Sequence, residues 1–129
     1  MTSTNTEKNT ATILIVDDES YVLDMLREQL SSFGYNIITA SSGKEALQKA
    51  EEFKRIDILL TDIVMHSMNG IELAKKFNKL LPETKVIFMS GYVSPSLNIK
   101  ELPKENYSFF EKPFSLDRLN AELSKVLTN

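Results

Sequence analysis

Residues 13–18 read ILIVDD, an unbroken apolar run that ends in two aspartates. Three later runs share this form: ILLT stands before Asp62, VIFM before Ser90, and FF just ahead of Lys112. Strands of a parallel sheet are buried on both faces and read as continuous apolar runs, and open α/β sheets place their sites beyond the carboxyl ends of such strands. The four runs therefore predict that three carboxylates, a hydroxyl and an amine meet at one edge of a sheet.

Helical periodicity fills most intervals between these runs. Apolar residues recur at helical spacing after the first run until Gly34, a residue typical of a helix end. Ser42 and Glu45 have the form of a capping box, and Asn69 and Ser115 stand where N-caps of further helices are expected. Strands are predicted at residues 13–16, 36–40, 56–60, 86–89 and 107–110. Such alternation predicts an α/β fold, with a doubly wound five-stranded parallel sheet and flanking helices.

Two segments depart from this regularity. Residues 1–11 are rich in Thr, Asn and Ser, and we expect them to form a flexible N-terminal tail before a single domain at 12–129. Pro95 and Pro103 bracket a stretch with few apolar residues, so the fourth helix, between the last two strands, is expected to be short or irregular.

The composition narrows the function classes. The formal net charge is −3, and Lys and Arg are scattered, which disfavours direct nucleic-acid binding. The chain has no cysteine, so disulfides and thiolate metal sites are excluded. No apolar run approaches the length of about 20 residues that spans a bilayer, and a cytoplasmic location with no membrane partner is the expectation.

The three aspartates predict a cation site. Two like charges about 4 Å apart repel by ~4 kcal/mol at an effective dielectric constant near 20, so Asp17, Asp18 and Asp62 need a positive neighbour. Mg²⁺ prefers oxygen ligands, and Lys112 would add a fixed charge. A carboxylate between Mg²⁺ and an ammonium group can attack phosphorus, which describes an aspartyl phosphate site. Two simpler interpretations stay open: Asp17 and Asp18 as a helix-start pair, and Asp62 as a turn cap.

Taken together, these residues resemble the receiver domain of two-component response regulators, the CheY-like family with a flavodoxin-like fold. The resemblance runs from about Thr12 to Leu127. It implies a phosphorelay protein that takes a phosphoryl group from a histidine kinase or a histidine phosphotransfer protein and signals through protein contacts. Such a protein turns over no metabolite and catalyses only its own phosphorylation and dephosphorylation. It would be either free-standing or part of a hybrid kinase or longer regulator.

The same resemblance implies a role for each site residue. Asp62 would be the phosphoacceptor and would bind Mg²⁺ with Asp18 and the backbone carbonyl of Val64, while Asp17 would act on the metal mainly through water. Ser90 would donate a hydrogen bond to a phosphoryl oxygen, and Lys112 would pair with another. By the same resemblance, the peptide bond between Lys112 and Pro113 would be cis and would aim Lys112 into the site.

The switch and one loop residue are less typical of the family. By the resemblance, Ser90 moves towards the phosphoryl group and an aromatic residue, here Phe109, rotates into the space it leaves. The alternative for Phe109 is an ordinary core aromatic residue. His66, the only histidine, stands where many receivers have proline, and we interpret it as a solvated loop residue.

Two other classes of α/β protein, a phosphatase and an FMN-binding module, are alternatives to the receiver. A phosphatase of the haloacid dehalogenase type resembles a different pattern, with nucleophile and acid two residues apart after the first strand. At that spacing this chain has Glu19 after Asp17 and Val64 after Asp62. A flavodoxin-like module that binds FMN would need a phosphate-cradling loop after the first strand, where this chain has VDDES. Turnover of a small phosphate ester, or yellow colour of the purified protein, would favour these alternatives.

Overall fold

The apolar runs form the predicted parallel sheet. The computed structural model describes residues 11–90, 106–111 and 115–128. Its five strands pair in parallel in the order β2-β1-β3-β4-β5. The strands are β1 (Thr12–Val16), β2 (Asn36–Ala40), β3 (Ile58–Asp62), β4 (Lys85–Ser90) and β5 (Tyr107–Glu111). The fold class predicted from the sequence is confirmed, and the sheet directs the ends of β1 and β3 towards the same edge.

The helices begin and end close to the residues that the sequence indicates. They are α1 (Ser20–Ser31), α2 (Gly43–Phe53), α3 (Gly70–Leu80) and α4 (Leu116–Thr128). Asn69 caps α3 by accepting a hydrogen bond from the backbone N–H of Glu72, and the Ser115 hydroxyl accepts one from the backbone N–H of Arg118 in α4. After α1, Gly34 has a φ of 99°, a left-handed conformation that glycine adopts at little cost.

The sheet separates two apolar cores. Alternate residues of β1 face opposite sides, so Leu14 and Val16 pack with α2 and α3, whereas Ile13 and Ile15 pack with α1 and α4. All four of these side chains are fully buried. Burial of each such side chain contributes roughly 1.5–3 kcal/mol, and the two cores together hold the strand ends in fixed positions. Among the described residues, none of the helices combines the length and the apolar character that a membrane span requires.

The structure corrects three details of the sequence prediction. The third strand was expected at 56–60 but runs from Ile58 to Asp62, because parallel pairing with β4 continues to the pair Asp62 and Met89. Helix α1 ends at Ser31, so Phe33 lies beyond the helix to which the apolar spacing assigned it. The capping box expected at Ser42 is only half formed. Ser42 accepts from the N–H of Glu45, but the Glu45 carboxylate turns to Ser41.

Some predictions fall outside the described residues. These are the tail at 1–10, the proline-bracketed segment with its short or irregular helix, and the Lys112–Pro113 peptide bond. Ala11, the last residue of the predicted tail, accepts a hydrogen bond from the backbone N–H of Asn36 through its carbonyl group.

Candidate functional site

Three aspartates meet at the carboxyl ends of two neighbouring strands. Asp17 and Asp18 follow the last residue of β1, and Asp62 is the last residue of β3. Because β1 and β3 pair in parallel with Val16 opposite Thr61, the two chain segments leave the sheet side by side. One carboxylate oxygen of each aspartate lies within 4.8 Å of the other two. The structure thus brings together the three carboxylates that the sequence predicts to converge.

Asp17 is fixed by the backbone around it. Its side chain is fully buried, and its Oδ1 accepts a hydrogen bond of 2.9 Å from the backbone N–H of Glu19. Its own N–H donates to the carbonyl oxygen of Ala40 at 3.3 Å, at the end of β2. Asp17 and Asp18 both precede the first residue of α1. The helix-start interpretation therefore explains one contact of Asp17 but not the convergence on Asp62.

Asp18 is tied to the loop that follows β3. Its Oδ2 accepts a hydrogen bond of 3.2 Å from the backbone N–H of His66, and it lies 3.6 Å from Nε2 of the same histidine. The imidazole is highly exposed and Asp18 is half-buried. His66 is therefore a solvated loop residue, as expected, yet it also touches the carboxylate cluster. Its loop position alone could not reveal that contact, because the contact spans 48 positions of sequence.

The chain directly after Asp62 is held by backbone hydrogen bonds of Ile63 on two sides. The N–H of Ile63 donates to the carbonyl oxygen of Met89 at 3.2 Å, which continues the pairing with β4. The N–H of Gly70 donates to the carbonyl oxygen of Ile63 at 2.8 Å, so α3 begins directly against the end of β3. A Cβ atom added to Gly70 would overlap the carbonyl oxygen of Asp62 and press on the backbone of Ile63.

Gly70 is thus a site residue that sequence reasoning missed. Glycine has a lower helix propensity than alanine, by about 1 kcal/mol in a helix interior. A glycine as the first residue of a well-capped helix therefore suggests a local packing requirement. The reason here is the close approach of the helix start to the backbone of Asp62. The Asn-Gly pair indicates a helix start but does not reveal this contact.

The cluster needs a positive partner and has the ligands for one. At a separation of 4.8 Å, each pair of ionised carboxylates repels by roughly 3–4 kcal/mol at an effective dielectric constant near 20. The three donors are all hard oxygen ligands, which suit a hard divalent cation. The donor set of Asp17, Asp18 and Asp62 therefore fits Mg²⁺.

Residues 13–124 match the model of the family described as response regulator receiver domain. The chain belongs to this family. It is a receiver domain of the CheY-like type found in two-component signalling, and this membership separates it from the haloacid dehalogenase and flavodoxin classes.

Two receiver-containing relatives and one solved structure show how close the similarity is. The chain is 38% identical over 119 residues to the sensor kinase CckA of Brucella abortus (strain 2308), covering 91% of the chain. It is 35% identical over 115 residues to the chemotaxis protein CheY of Thermotoga maritima, covering 88% of the chain and 95% of that protein. The crystal structure of the response regulator TrrA from Thermotoga maritima, in complex with Mg²⁺-BeF, superposes with a TM-score of 0.77 at 31% identity. That match covers 92% of this chain and all of TrrA.

The relatives differ in length from this chain. The chain spans 12% of the sensor kinase CckA and about a quarter of several other curated relatives that it matches. In those proteins the similarity therefore concerns one segment of a longer polypeptide.

The other predicted site residues of the receiver lie around the same sheet edge, as far as they are described. Ser90 ends β4, the strand next to β3, and pairs with Glu111 at the end of β5. Val64 lies in the loop two residues after Asp62, with its side chain 74% exposed to solvent. Lys112 follows the last residue of β5 but lies outside the described residues.

Phe109 lies in β5, an edge strand of the sheet. Its side chain is 37% exposed, and its ring centroid is 5.3 Å from that of Phe88 and 5.9 Å from that of Tyr107. Phe109 is therefore partly exposed and packs against two aromatic rings, and its role as a switch residue stays a prediction. The apolar pattern did not predict this exposure, because an edge strand such as β5 can carry the same apolar residues as a central strand.

Proposed function

We propose that this receiver domain is phosphorylated on Asp62. The observation that carries the proposal is the convergence of the Asp17, Asp18 and Asp62 carboxylates within 4.8 Å, in a chain that belongs to the receiver family. Asp62 is the member of the cluster that terminates a central strand, and the next residue, Ile63, is hydrogen-bonded through its backbone to both β4 and α3. Such bracing favours the fixed orientation that a nucleophile requires.

Mg²⁺ is the proposed cofactor. Asp18, Asp62 and the backbone carbonyl of Val64 would hold the ion, and Asp17 would act on it through water. When bound, Mg²⁺ neutralises charge on the transferring phosphoryl oxygens. The TrrA structure, which is similar to this chain, is a complex with Mg²⁺-BeF. The repulsion within the cluster also supports a resident cation.

The proposed reaction is a phosphoryl transfer to a carboxylate. A carboxylate oxygen of Asp62 attacks phosphorus, an O–P bond forms, and the P–N bond of a phosphohistidine donor breaks. The electron pair of that bond returns to the imidazole of the donor. Ser90 would donate a hydrogen bond to one phosphoryl oxygen and Lys112 would pair with another.

The output of the modification is proposed to start at Ser90 and Phe109. The ring of Phe109 is more than a third exposed and rests against Phe88 and Tyr107, so a rotation would not require a new cavity in the core. Phosphorylation would bias two conformations of this aromatic group, because a bound group shifts an equilibrium only through different interactions with the two states.

The proposed partners are a histidine kinase or a histidine phosphotransfer protein as donor, and a downstream protein as target. A relative of 38% identity is a sensor kinase. The domain would work either free-standing or within a hybrid kinase or longer regulator. The cytoplasmic location expected from the sequence stays a prediction.

The proposal is tested by incubating the protein with acetyl phosphate and Mg²⁺ and measuring the intact mass. The wild type is expected to gain one phosphoryl group, and Asp62→Asn to gain none. Chelation of the metal is expected to prevent the gain. Asp24→Asn is a matched control, because Asp24 is an exposed carboxylate of α1 away from the cluster. Equal phosphorylation of Asp62→Asn and wild type would refute the assignment of Asp62.

A further inference from the structure

The imidazole of His66 stands at the rim of the carboxylate cluster. Its Nε2 lies 3.6 Å from Oδ2 of Asp18, and its backbone N–H donates to the same oxygen at 3.2 Å. The carbonyl oxygen of His66 accepts a hydrogen bond of 2.8 Å from the N–H of Met68. The backbone of His66 is therefore fixed beside Asp18, whereas its side chain, 93% exposed, can rotate without losing buried contacts.

The distance between the two side chains falls within the range of ligand separations around one metal ion, although it equals neither standard value. Ligands about 2.1 Å from a six-coordinate ion are roughly 3.0 Å apart when adjacent and roughly 4.2 Å apart when opposite. The separation of 3.6 Å between Nε2 and Oδ2 lies between these values. His66 does not itself belong to the group whose ligand atoms lie within 4.8 Å of one another, so its exposed imidazole would have to rotate to place its nitrogen on an ion that Asp18 binds.

An imidazole changes which ions a site prefers. Mg²⁺ selects oxygen ligands, whereas nitrogen ligands favour divalent ions of the first transition row, and neutral imidazole is the commonest protein ligand of such metals. A pocket of carboxylates alone would have no such preference beyond that set by charge and geometry.

We propose that His66 is a metal ligand of this receiver and that it makes the pocket favour divalent transition-metal ions such as Mn²⁺ over Mg²⁺. This inference rests on the metal pocket of the proposed function and adds to it a nitrogen ligand and an ion preference. His66 coordinates through Nε2, on the side of Asp18 that faces the loop after β3.

The test uses Mn²⁺ as the probe and pulsed electron paramagnetic resonance as the main readout. In mildly alkaline buffer the imidazole offers a lone pair, and a coordinated nitrogen modulates the electron spin echo of Mn²⁺. His66 is the only histidine of the chain, so in a protein without a histidine tag an imidazole signal can arise only from this residue. Mn²⁺ and Mg²⁺ affinities are measured in parallel by competition, without any phosphorylation assay.

The matched variants are His66→Ala and Asp18→Asn. His66→Ala is expected to remove the nitrogen modulation. It should also lower Mn²⁺ affinity by about tenfold, which is the smallest loss typical even for a residue that only hydrogen-bonds to a metal ligand. Its Mg²⁺ affinity should change little. Because the His66 side chain is almost fully exposed, its thermal unfolding without metal should match that of wild type. Asp18→Asn should weaken the binding of both ions.

The possible failures are distinguishable. Mn²⁺ binding by the wild type without nitrogen modulation would overturn the role of His66 and leave the carboxylate pocket intact. An equal loss of Mn²⁺ and Mg²⁺ affinity in His66→Ala would also overturn the ion preference. If the wild type bound neither ion, the metal pocket of the proposed function would itself be wrong, and the inference about His66 would fall with it.

Discussion

The starts of α2 and α3 have nearly the same local sequence but different relations to the site. Residues 42–45 read SGKE and residues 69–72 read NGIE, so each helix has a polar N-cap, a glycine as first residue and a glutamate at the third position. In both, the N-cap side chain accepts a hydrogen bond from the backbone N–H of the glutamate. Local sequence therefore decides where each helix begins.

The two starts differ in what lies across from the glycine. A Cβ atom added to Gly43 would come 2.7 Å from Sδ of Met68, the far part of a flexible side chain. A Cβ atom added to Gly70 would instead meet the backbone of Asp62 and Ile63. The same helix-start pattern is therefore a packing detail in α2, whereas in α3 it supports the proposed phosphorylation site.

Gly70→Ala should have the largest effect among variants of these two helix starts. The new methyl group overlaps backbone that cannot turn aside, and overpacking of this kind costs typically 1–3 kcal/mol. We expect a loss of about 2 kcal/mol in the free energy of unfolding, measured by urea denaturation. We also expect weaker phosphorylation by acetyl phosphate, because the end of β3 must shift with Asp62. Wild-type stability together with a wild-type phosphorylation rate would contradict the close contact.

Gly43→Ala is the matched variant and should have a small effect. Met68 can move its thioether group aside, and alanine has a better helix propensity than glycine by about 1 kcal/mol. The free energy of unfolding should change by less than about 1 kcal/mol in either direction, and phosphorylation of Asp62 should be unchanged. If Gly43→Ala impaired phosphorylation as much as Gly70→Ala, the distinction between the two helix starts would be lost.

The smallest expected effect concerns the glutamate of α2 and depends on pH. Hydrogen bonds from the backbone N–H of Ser41, and secondarily from its hydroxyl, lower the pKa of Glu45 below its ordinary value of 4.5. A carboxylate whose pKa is lowered by folding stabilises the protein above its unfolded pKa, and that contribution disappears as the pH falls through the folded pKa.

Glu45→Gln should accordingly cost about 0.5–1 kcal/mol at neutral pH, the lower range for loss of a helix cap. Near pH 3 the difference between variant and wild type should shrink, as measured by urea denaturation at both pH values. Glu51→Gln, at an exposed position of the same helix, serves as control. A difference that stayed constant from neutral to acid pH would show that the ionised form of Glu45 is not what stabilises the helix start.

The two capping motifs also show what sequence could and could not predict. The pattern predicted a capping box at Ser42 and a simple cap at Asn69, but the complete box is at Asn69, where Glu72 accepts from the N–H of Asn69. Glu45 instead takes two donors of Ser41, the N–H at 2.7 Å and the hydroxyl at 3.0 Å, through one oxygen. In a complete capping box, Glu45 would accept only the backbone N–H of Ser42, whereas Ser41 offers it two donors. The spacing of residues in the sequence cannot show which of these arrangements forms.

The fold was more predictable than the site's surroundings. Apolar runs and helical periodicity identified all five strands and the helices that the structure describes, because burial of these runs dominates the energetics of the sheet. Parallel pairing then made the convergence of Asp17, Asp18 and Asp62 a consequence of topology. The contacts of His66 and Gly70 with this cluster could not be predicted, because they depend on how one loop folds back across the end of β3.

The most direct measurement locates the phosphoryl group on the chain. After incubation with acetyl phosphate and Mg²⁺, the aspartyl phosphate is trapped by reduction with borohydride, and the modified residue is found by tandem mass spectrometry. We predict that the modification lies on Asp62 and that it is absent without a divalent ion. Modification of Asp17, Asp18 or a residue outside the cluster, with Asp62 unmodified, would contradict the proposal that this carboxylate is the phosphoacceptor.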